Sequence, residues 1–207
     1  WRHLDFFQYE AWLHAEVPRV ACGACGKTTQ LGVPWARPGS GFTAAFEALA
    51  LALCRELPVR QAAALLRCRD KQLWRRIEFY VEQARALADE LVRLFHDEER
   101  GGFFQTGRDA EALVVRPKEI SDNAVPSGNS LAADVLLRLG HLTGETGYEN
   151  AGVGALRLVR DQAAGAPSGF GHALGALDAY LSPVKEVAIV GDPGSAETRA
   201  LVAEVTT

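Results

Sequence analysis

The sequence predicts a mainly α-helical protein with a few short strands near its start. Apolar residues recur every three or four positions from Leu73 to Phe95, which is the period of one long helix. Thr43 and Pro58 stand where helices begin, as an N-cap and as a first-turn proline. Three further helical patterns cover about residues 129–142, 147–163 and 170–181.

The elements follow one another in a simple order. Residues 1–20 alternate loosely between apolar and polar and predict one or two strands, whereas two prolines and two glycines exclude regular structure over residues 33–41. One helix follows Thr43, a second runs from Pro58 through Leu66, and the long third helix starts near Asp70 and stops at Gly101 and Gly102. Residues 103–128 predict a hairpin or a long loop. A buried strand over 186–190 and a last helix over 195–205 complete the prediction.

Composition excludes several classes of protein. The 207 residues are 48% hydrophobic and 23% charged, which is typical of a globular chain and not of a disordered one. No apolar run approaches the roughly 18 residues of a membrane helix, so we expect no membrane partner. Four cysteines are too few for a secreted disulfide scaffold and favour a cytoplasmic location. The chain begins at Trp1 and contains no methionine, so we expect a fragment or a trimmed chain.

Charge divides the chain into two dissimilar parts. Residues 1–85 carry 12 basic and 8 acidic side chains, whereas residues 86–207 carry 10 basic and 18 acidic ones. Such asymmetry indicates two segments with different partners.

Cys22 and Cys25 have the spacing of a pair that chelates one tetrahedral zinc ion. They supply two of four ligands, and nothing in the spacing of His3 or His14 marks either as a third. The missing ligand pair would lie upstream of Trp1. The alternatives are two unliganded thiols and a redox pair, but a redox pair requires a helix that residues 26–41 cannot form.

Residues 55–76 hold seven basic and two acidic side chains. Two helices, at 58–66 and 71–81, are joined there by a four-residue turn, which is the pattern of a helix-turn-helix. Arg67 stands where such a turn usually has glycine. The second helix would present polar side chains to a DNA major groove, with Gln72 contacting an adenine and Arg75 or Arg76 a guanine, while basic residues neutralise phosphates. The predicted DNA contacts are Arg69, Lys71, Gln72, Arg75 and Arg76. The alternative is an ordinary basic helical hairpin.

Several short motifs in residues 1–85 resemble the amino-terminal region of ISL-three family transposases. They are Trp-Arg-His-Leu-Asp at 1–5, the Cys-x-x-Cys-Gly knuckle at 22–26, Val-Pro-Trp-Ala at 33–36 and Phe-Thr at 42–43. The resemblance implies a zinc ribbon over 1–41, here truncated, and a DNA-binding helix-turn-helix over 42–85. Nothing after residue 85 is similar to the family's catalytic domain, so we expect no transposase catalysis.

Residues 116–130 form a polar, turn-rich loop that leads into a helix, capped by Ser127 or Asn129. Such a loop suits the rim of a small-molecule site, and the alternative is a capping loop without a ligand. The candidate rim residues are Arg116, Asp122, Asn123, Ser127 and Asn129.

The runs Arg-Pro-Lys-Glu at 116–119 and Pro-Ser-Gly-Asn-Ser at 126–130 resemble the YyaL, or spermatogenesis-associated protein twenty, family. That resemblance implies part of an (α/α)-barrel over 86–207, related to N-acylglucosamine epimerases and six-hairpin glycosidases, and loosely implies a sugar ligand.

The sequence therefore predicts two unrelated fragments joined within 81–90, where one continuous helix crosses the join. The leading function is DNA binding, with zinc at Cys22 and Cys25. The alternatives are an enzyme remnant of carbohydrate metabolism and a decayed open reading frame without a selected function. An incomplete barrel leaves apolar surface uncovered, so we also expect self-association.

Overall fold

The computed structural model describes residues 1–111, 115–183, 189–192 and 194–205. The chain divides into two compact units, residues 1–85 and 86–207, called unit 1 and unit 2 below. All four tryptophans of the chain lie in unit 1, at positions 1, 12, 35 and 74.

Unit 1 begins with two antiparallel β-hairpins. Strand β1 (Arg2–Phe6) pairs with β2 (Tyr9–Trp12), and β3 (Arg19–Ala21) pairs with β4 (Thr28–Gln30). The first two strands confirm the predicted strand structure in residues 1–20. Strand β4 was not predicted, because three polar residues carry no alternation and become a strand only by pairing with β3.

The three helices of unit 1 begin where the sequence predicts. Helix α1 (Ala44–Glu56) follows Thr43, whose hydroxyl accepts a 3.3 Å hydrogen bond from the Phe46 backbone N–H. Helix α2 (Val59–Leu65) follows Pro58, and α3 (Asp70–Phe95) runs on across residue 85. The continuous helix predicted over 81–90 is therefore confirmed. Helix α3 ends at Phe95, before the glycines at 101 and 102.

The core of unit 1 lies between these three helices. Phe42 and Phe46 stack with ring centroids 4.7 Å apart and meet small residues of α2. The buried members are Phe42, Phe46, Ala50, Ala62, Ala63, Leu66 and Leu73. Ala62 and Ala63 of α2 are buried in this cluster beside residues of α1 and Leu73 of α3, as small residues are in the packing of a helix-turn-helix.

Unit 2 is built from helical hairpins. Helix α4 (Gly128–Thr143) packs against α5 (Thr146–Gly165) and α6 (Gly171–Leu181), and a short 3-10 turn, Pro167–Gly169, joins the last two. These bounds match the three predicted helices to within two residues. A groove of about 480 Å³ lined mainly by aliphatic side chains lies between α5 and α6. Closure of these hairpins into an (α/α)-barrel stays a prediction.

Before α4, the described residues of 103–127 form neither helix nor strand, as the long-loop prediction expects. Gly101 and Gly102 precede this loop with φ of 73° and 74°. A Cβ at Gly101 would lie 2.8 Å from the Gly154 carbonyl oxygen, and one at Gly102 would lie 2.5 Å from a methyl carbon of Leu158. Both the backbone conformation and the packing therefore require glycine there.

The last described helix is α7 (Ala196–Val205). The strand predicted over 186–190 falls mainly on residues outside the described ones. Among the described residues, no helix is both long and apolar enough to cross a membrane.

Candidate functional site

The turn between α2 and α3 contains Arg67 in the left-handed conformation, with φ of 51°. This is the conformation that a helix-turn-helix turn usually assigns to glycine, so the departure noted in the sequence does not change the path of the turn. Contacts of the Arg67 side chain offset the free-energy cost of holding a non-glycine residue in this conformation. This side chain forms an ion pair with Asp5 and donates a 3.0 Å hydrogen bond to the Gln8 carbonyl, which ties the turn to the first hairpin.

Three of the predicted DNA contacts are exposed around the first two turns of α3. They are Arg69, Lys71 and Arg75. Among the described residues, none of their side chains forms an ion pair or a hydrogen bond. The only acidic side chain in the first turn is Asp70, which accepts a 2.7 Å hydrogen bond from the Lys71 backbone N–H. These three cations are therefore available to an external anion.

Gln72 is half-buried and already uses its acceptor. Its Oε1 accepts a 3.1 Å hydrogen bond from the Arg69 backbone N–H. A bidentate contact with adenine needs that oxygen as well as the amide N–H₂. Gln72 therefore caps α3 in this structure, and its contact with DNA stays a prediction.

Arg76 lies inside unit 1, although the sequence analysis placed it on the outward face. Its side chain is 14% exposed, and its Nε is 3.6 Å from a carboxylate oxygen of Glu47, which is 2% exposed. Burial and the nearby Arg37 guanidinium lower the pKa of Arg76. The orientation prediction was wrong because a buried carboxylate on α1 requires counter-charge from α3, and periodicity does not reveal such a partner. A contact of Arg76 with DNA stays a prediction.

Glu47 is the shared acceptor of a buried cluster that also contains Arg37, Ser40, Arg76 and Tyr80. It accepts hydrogen bonds from Arg37 Nε at 3.1 Å, from the Ser40 hydroxyl at 2.5 Å and from the Tyr80 hydroxyl at 2.8 Å. Burial and the bond to Glu47 raise the pKa of Tyr80. The cluster joins α1, the segment before it and α3, so it fixes the rotation of α3 about its own axis.

Trp74 is a surface residue that the sequence analysis did not select. The residue is 50% exposed and lies three positions after Lys71 and directly before Arg75 in α3. Its exposure could have been predicted from the helical period, since Trp74 falls outside the buried face of α3 that contains Leu73.

The two cysteines of the knuckle lie in the turn between β3 and β4. Hydrogen bonding from the backbone N–H groups of Cys25 and Ala24 in this turn lowers the pKa of the Cys22 thiol. The Gly26 N–H donates to the Cys22 carbonyl at 2.9 Å, with Gly26 in the left-handed conformation. Backbone N–H groups directed at a thiolate sulfur suit a metal-binding knuckle.

The donor set for zinc is half of a tetrahedral site. Among the described residues, no group of three or more His, Cys, Asp or Glu side chains could hold a metal ion. His3 shares a 2.9 Å hydrogen bond with the Thr43 hydroxyl, and Cys54 and Cys68 pack against the helical core. The pair fits zinc by donor type, and the described residues supply no further ligands that would complete a tetrahedral set around it.

In unit 2, the predicted rim residues Asp122 and Ser127 lie next to the start of α4, and their role at the rim of a ligand site stays a prediction. Ser127 is the N-cap of α4 and accepts a 3.1 Å hydrogen bond from the Ser130 N–H. Asp122 accepts from the Ser127 N–H at 2.8 Å and from the His172 N–H at 2.9 Å at the start of α6. Burial opposes ionisation of Asp122, but these bonds and one with Ser130 lower its pKa overall.

The other rim residues are also mostly engaged within the protein. Asn129 is 2% exposed, donates to the carbonyls of Phe103 and Glu119 at 3.0 and 2.7 Å, and accepts from the Phe103 N–H at 2.7 Å. Arg116 is half-buried, stacks 4.2 Å from the centre of the Phe104 ring and donates to the Leu94 carbonyl at 3.3 Å. Asn123 is exposed. Four of the five predicted rim residues, Arg116, Asp122, Ser127 and Asn129, therefore already bind groups within the protein.

Unit 1 is similar to transposase DNA-binding domains. Residues 1–25 match the zinc-finger of transposases IS204, IS1001, IS1096 and IS1165, and residues 33–81 match the helix-turn-helix domain of transposase family ISL3. The transposase for insertion sequence element IS1557 of Mycobacterium tuberculosis is 49% identical over 47 residues, which are 23% of this chain and 10% of that protein. Transposase-like zinc-ribbon and helix-turn-helix domains are thus present.

A different protein matches another part of the chain. Spermatogenesis-associated protein 20 of Rattus norvegicus is 34% identical over 127 residues, and its Homo sapiens counterpart is 33% identical over 124. Each alignment covers 59% of this chain and 16% of the relative, so the chain spans about one sixth of the length of these curated relatives. No solved structure matches the chain.

Proposed function

We propose that unit 1 binds duplex DNA through the amino-terminal turns of α3, without transposase catalysis. The observation that carries this proposal is the set of exposed cations Arg69, Lys71 and Arg75, which have no partner among the described residues. The match to transposases supports it, and the domains matched by the family models are a zinc-finger and a helix-turn-helix. DNA binding of this kind places the chain in the cytoplasm or nucleoid.

The position of these cations is unfavourable for the isolated protein. The N-terminus of a helix carries about half a positive charge, and basic residues near it typically cost a few tenths of a kcal/mol. In the first turn of α3, Asp70 is the one acidic side chain that offsets this unfavourable positive charge. A phosphate placed at the start of α3 would meet the positive end of the helix dipole and the side chains of Arg69 and Lys71 together. The arrangement is therefore suited to a bound polyanion.

Different side chains of α3 have different roles in this proposal. Arg69 and Lys71 neutralise phosphates, while Arg75, one turn further on, reaches a base edge in the major groove. Trp74 contacts the sugar or a thymine methyl group with its exposed indole. Arg76 orients α3 through Glu47. Cys22 and Cys25 contribute thiolates to zinc.

The test is fluorescence anisotropy of a random 30-base-pair duplex over a salt series. We expect Arg69→Ala/Lys71→Ala to weaken binding at least about tenfold and to reduce the slope of log affinity against log salt by about 2. The matched control is Arg157→Ala/Arg160→Ala, which removes two exposed cations from α5 and leaves binding unchanged. Equal binding by the wild type and the Arg69→Ala/Lys71→Ala variant, or no binding at low salt by a folded protein, contradicts the proposal.

For unit 2, sugar binding and apolar self-association remain predictions. The groove between α5 and α6 is the surface on which such self-association would act. Most of the predicted rim residues already hold backbone groups of the loop, so a capping role accounts for them without a ligand.

A further inference from the structure

We infer that the tip of the first hairpin inserts two aromatic side chains, Phe6 and Phe7, between base pairs of the duplex DNA that α3 binds. The inference rests on the proposed DNA binding of unit 1 and adds a second kind of contact to it. The cations at the start of α3 attract the phosphate backbone, whereas the hairpin tip parts two stacked base pairs beside it.

Aromatic side chains crowd the tip of the hairpin formed by β1 and β2. Phe6 is 69% exposed and Phe7 is 82% exposed, and their rings meet edge to face with centroids 4.8 Å apart. Tyr9, which pairs with Phe6 across the hairpin, is exposed as well. Single exposed apolar residues are ordinary in folded proteins, but three neighbouring aromatic rings form a projecting apolar surface. Such a surface indicates a partner that covers it.

The backbone holds Phe7 in a conformation that large side chains seldom adopt. Phe7 is the first residue of the two-residue turn between β1 and β2, and its φ is 55°. Hairpin turns usually place glycine, asparagine or aspartate at a positive φ. Because the Phe7 ring is exposed, its burial within unit 1 does not compensate for this strain. Residues held in such a conformation are concentrated at ligand contacts, which favours a binding role for this ring.

The tip lies beside the turn that leads into α3. Arg67 forms an ion pair with Asp5 and donates a 3.0 Å hydrogen bond to the Gln8 carbonyl, so its contacts lie on both sides of the two phenylalanines. Arg67 precedes Arg69 by two residues. The tip is therefore a neighbour of the cations that are proposed to bind phosphates, and we expect DNA on those cations to meet both rings.

The acidic side chains near the tip are balanced by basic ones. Arg2 and Arg67 both form ion pairs with Asp5. The Nε atoms of the same two arginines are each 3.9 Å from a carboxylate oxygen of Glu10. Two guanidinium groups thus accompany two carboxylates, so local charge does not exclude a phosphate strand from this end of unit 1.

Both ends of this hairpin are anchored to the helical part of unit 1. At its base, directly before α1, the Arg2 N–H donates to the Gly41 carbonyl at 2.8 Å and the Thr43 N–H donates to the Arg2 carbonyl at 3.0 Å. At its tip, Arg67 holds the hairpin against the turn between α2 and α3. Apolar side chains that part base pairs and kink the duplex need such a rigid support, because a loop that yields would leave the bases stacked.

The experiment measures fluorescence anisotropy of the 207-residue chain with two 30-base-pair duplexes, one intact and one with a central mismatched pair. A mismatched step costs less to open, so we expect the wild type to bind it at least about fivefold more tightly. Phe7→Asn removes the ring and suits the positive φ, so it should not lower the urea midpoint and should reduce the preference below about twofold. Phe6→Ala, at a position without this strain, should also reduce the preference. The matched control is Leu49→Ala, which removes an exposed apolar side chain from α1 and should leave the preference unchanged.

Two further readouts separate insertion from phosphate binding. The fluorescence of 2-aminopurine placed beside the mismatch should rise when saturating wild type binds and should not rise with Phe7→Asn, because the base is unstacked only by the inserted ring. Arg69→Ala/Lys71→Ala should weaken binding to both duplexes by the same factor and leave the preference for the mismatch unchanged.

Four outcomes overturn the inference. Equal binding of both duplexes by the wild type means that the tip does not part the bases, while DNA binding by α3 still stands. Loss of affinity for both duplexes by one factor in Phe7→Asn means contact with the DNA surface without insertion. A wild-type dimer in sedimentation without DNA, which Phe7→Asn dissociates, means that a second copy covers the tip. Absence of binding to either duplex at low salt removes the proposed function itself, and this inference with it.

Discussion

The starts of α3 and α4 differ in the charge that surrounds their first backbone N–H groups. Every helix leaves its first backbone N–H groups without intrahelical partners and favours acceptors and negative charge around them. Helix α4 follows this rule, because the Ser127 hydroxyl accepts from the Ser130 N–H and Asp122 accepts from the Ser127 N–H. Helix α3 also has acceptors at its start, in Asp70 and Gln72, but it adds the exposed cations Arg69 and Lys71.

The two helix starts therefore contain polar side chains of two kinds: those with partners inside the protein and those that are available to a ligand. The polar side chains near α4 have their hydrogen bonds satisfied inside unit 2, so removing them should cost stability. The cations near α3 satisfy nothing inside unit 1, so removing them should cost little stability and much DNA binding. Because all four tryptophans lie in unit 1, tryptophan fluorescence reports on unit 1 alone, whereas far-ultraviolet circular dichroism reports on the helices of both units.

The largest expected effect is that of Glu47→Ala. Glu47 holds Arg76, which, unlike the exposed cations of α3, is paired inside unit 1. Removing this buried carboxylate leaves Arg37 and Arg76 without counter-charge, and we expect a loss of about 3–5 kcal/mol of unfolding free energy. Urea unfolding followed by tryptophan fluorescence measures it. Glu78→Ala on the exposed face of α3 is the control and should change stability by less than about 0.5 kcal/mol. A small effect of Glu47→Ala would mean that Arg76 is not held by this cluster and is available with the other cations.

The next effect separates the two asparagines of the predicted rim. Asn129→Ala leaves a buried N–H and two carbonyls of the loop unpaired, and we expect a loss of about 2–4 kcal/mol. Asn123→Ala, at an exposed position, should stay within about 0.5 kcal/mol. Circular dichroism in urea should record the loss, with the fluorescence midpoint nearly unchanged. Equal stabilities of the two variants would contradict this difference between Asn129 and Asn123, and Asn129 would then be available to bind a ligand.

The smallest effect on stability is also the sharpest test of the start of α3. Lys71→Glu places an acidic side chain in the first turn, and the helix dipole should stabilise unit 1 by about 0.3–1 kcal/mol. The same change should weaken DNA binding more than tenfold, since it reverses a charge that neutralises a phosphate. Fluorescence-detected unfolding and anisotropy measure the two quantities on one protein. A destabilised variant would show that Lys71 has a structural partner.

The helices were predictable because their signals are local. Thr43 caps α1, Pro58 precedes α2 and Ser127 caps α4, and each acts on residues within one turn of itself. Strand β4 was not predictable, because Thr28–Gln30 becomes a strand only through its partner β3. The same distinction governs the candidate site: exposure of Arg75 followed from periodicity, whereas burial of Arg76 depends on Glu47, 29 positions earlier in the chain.

The rim of unit 2 illustrates the limit of sequence motifs. The run at 126–130 contained three polar residues that suit either a ligand or a helix start. In the structure Ser127 is the N-cap of α4, which is one of the two roles that the sequence analysis left open for this run. The role of Asn129 depends on the carbonyls of Phe103 and Glu119, which approach it only after the loop has folded.

Gly101 and Gly102 make two adjacent codons of this gene unusually intolerant of change. Any missense substitution there adds a Cβ to a left-handed backbone and drives it against α5 or against Asn129. Gly147 and Gly175, with open space around them, carry no such restriction. A population of random variants selected only for folding would therefore keep glycine at 101 and 102 while it diversified at the other two positions.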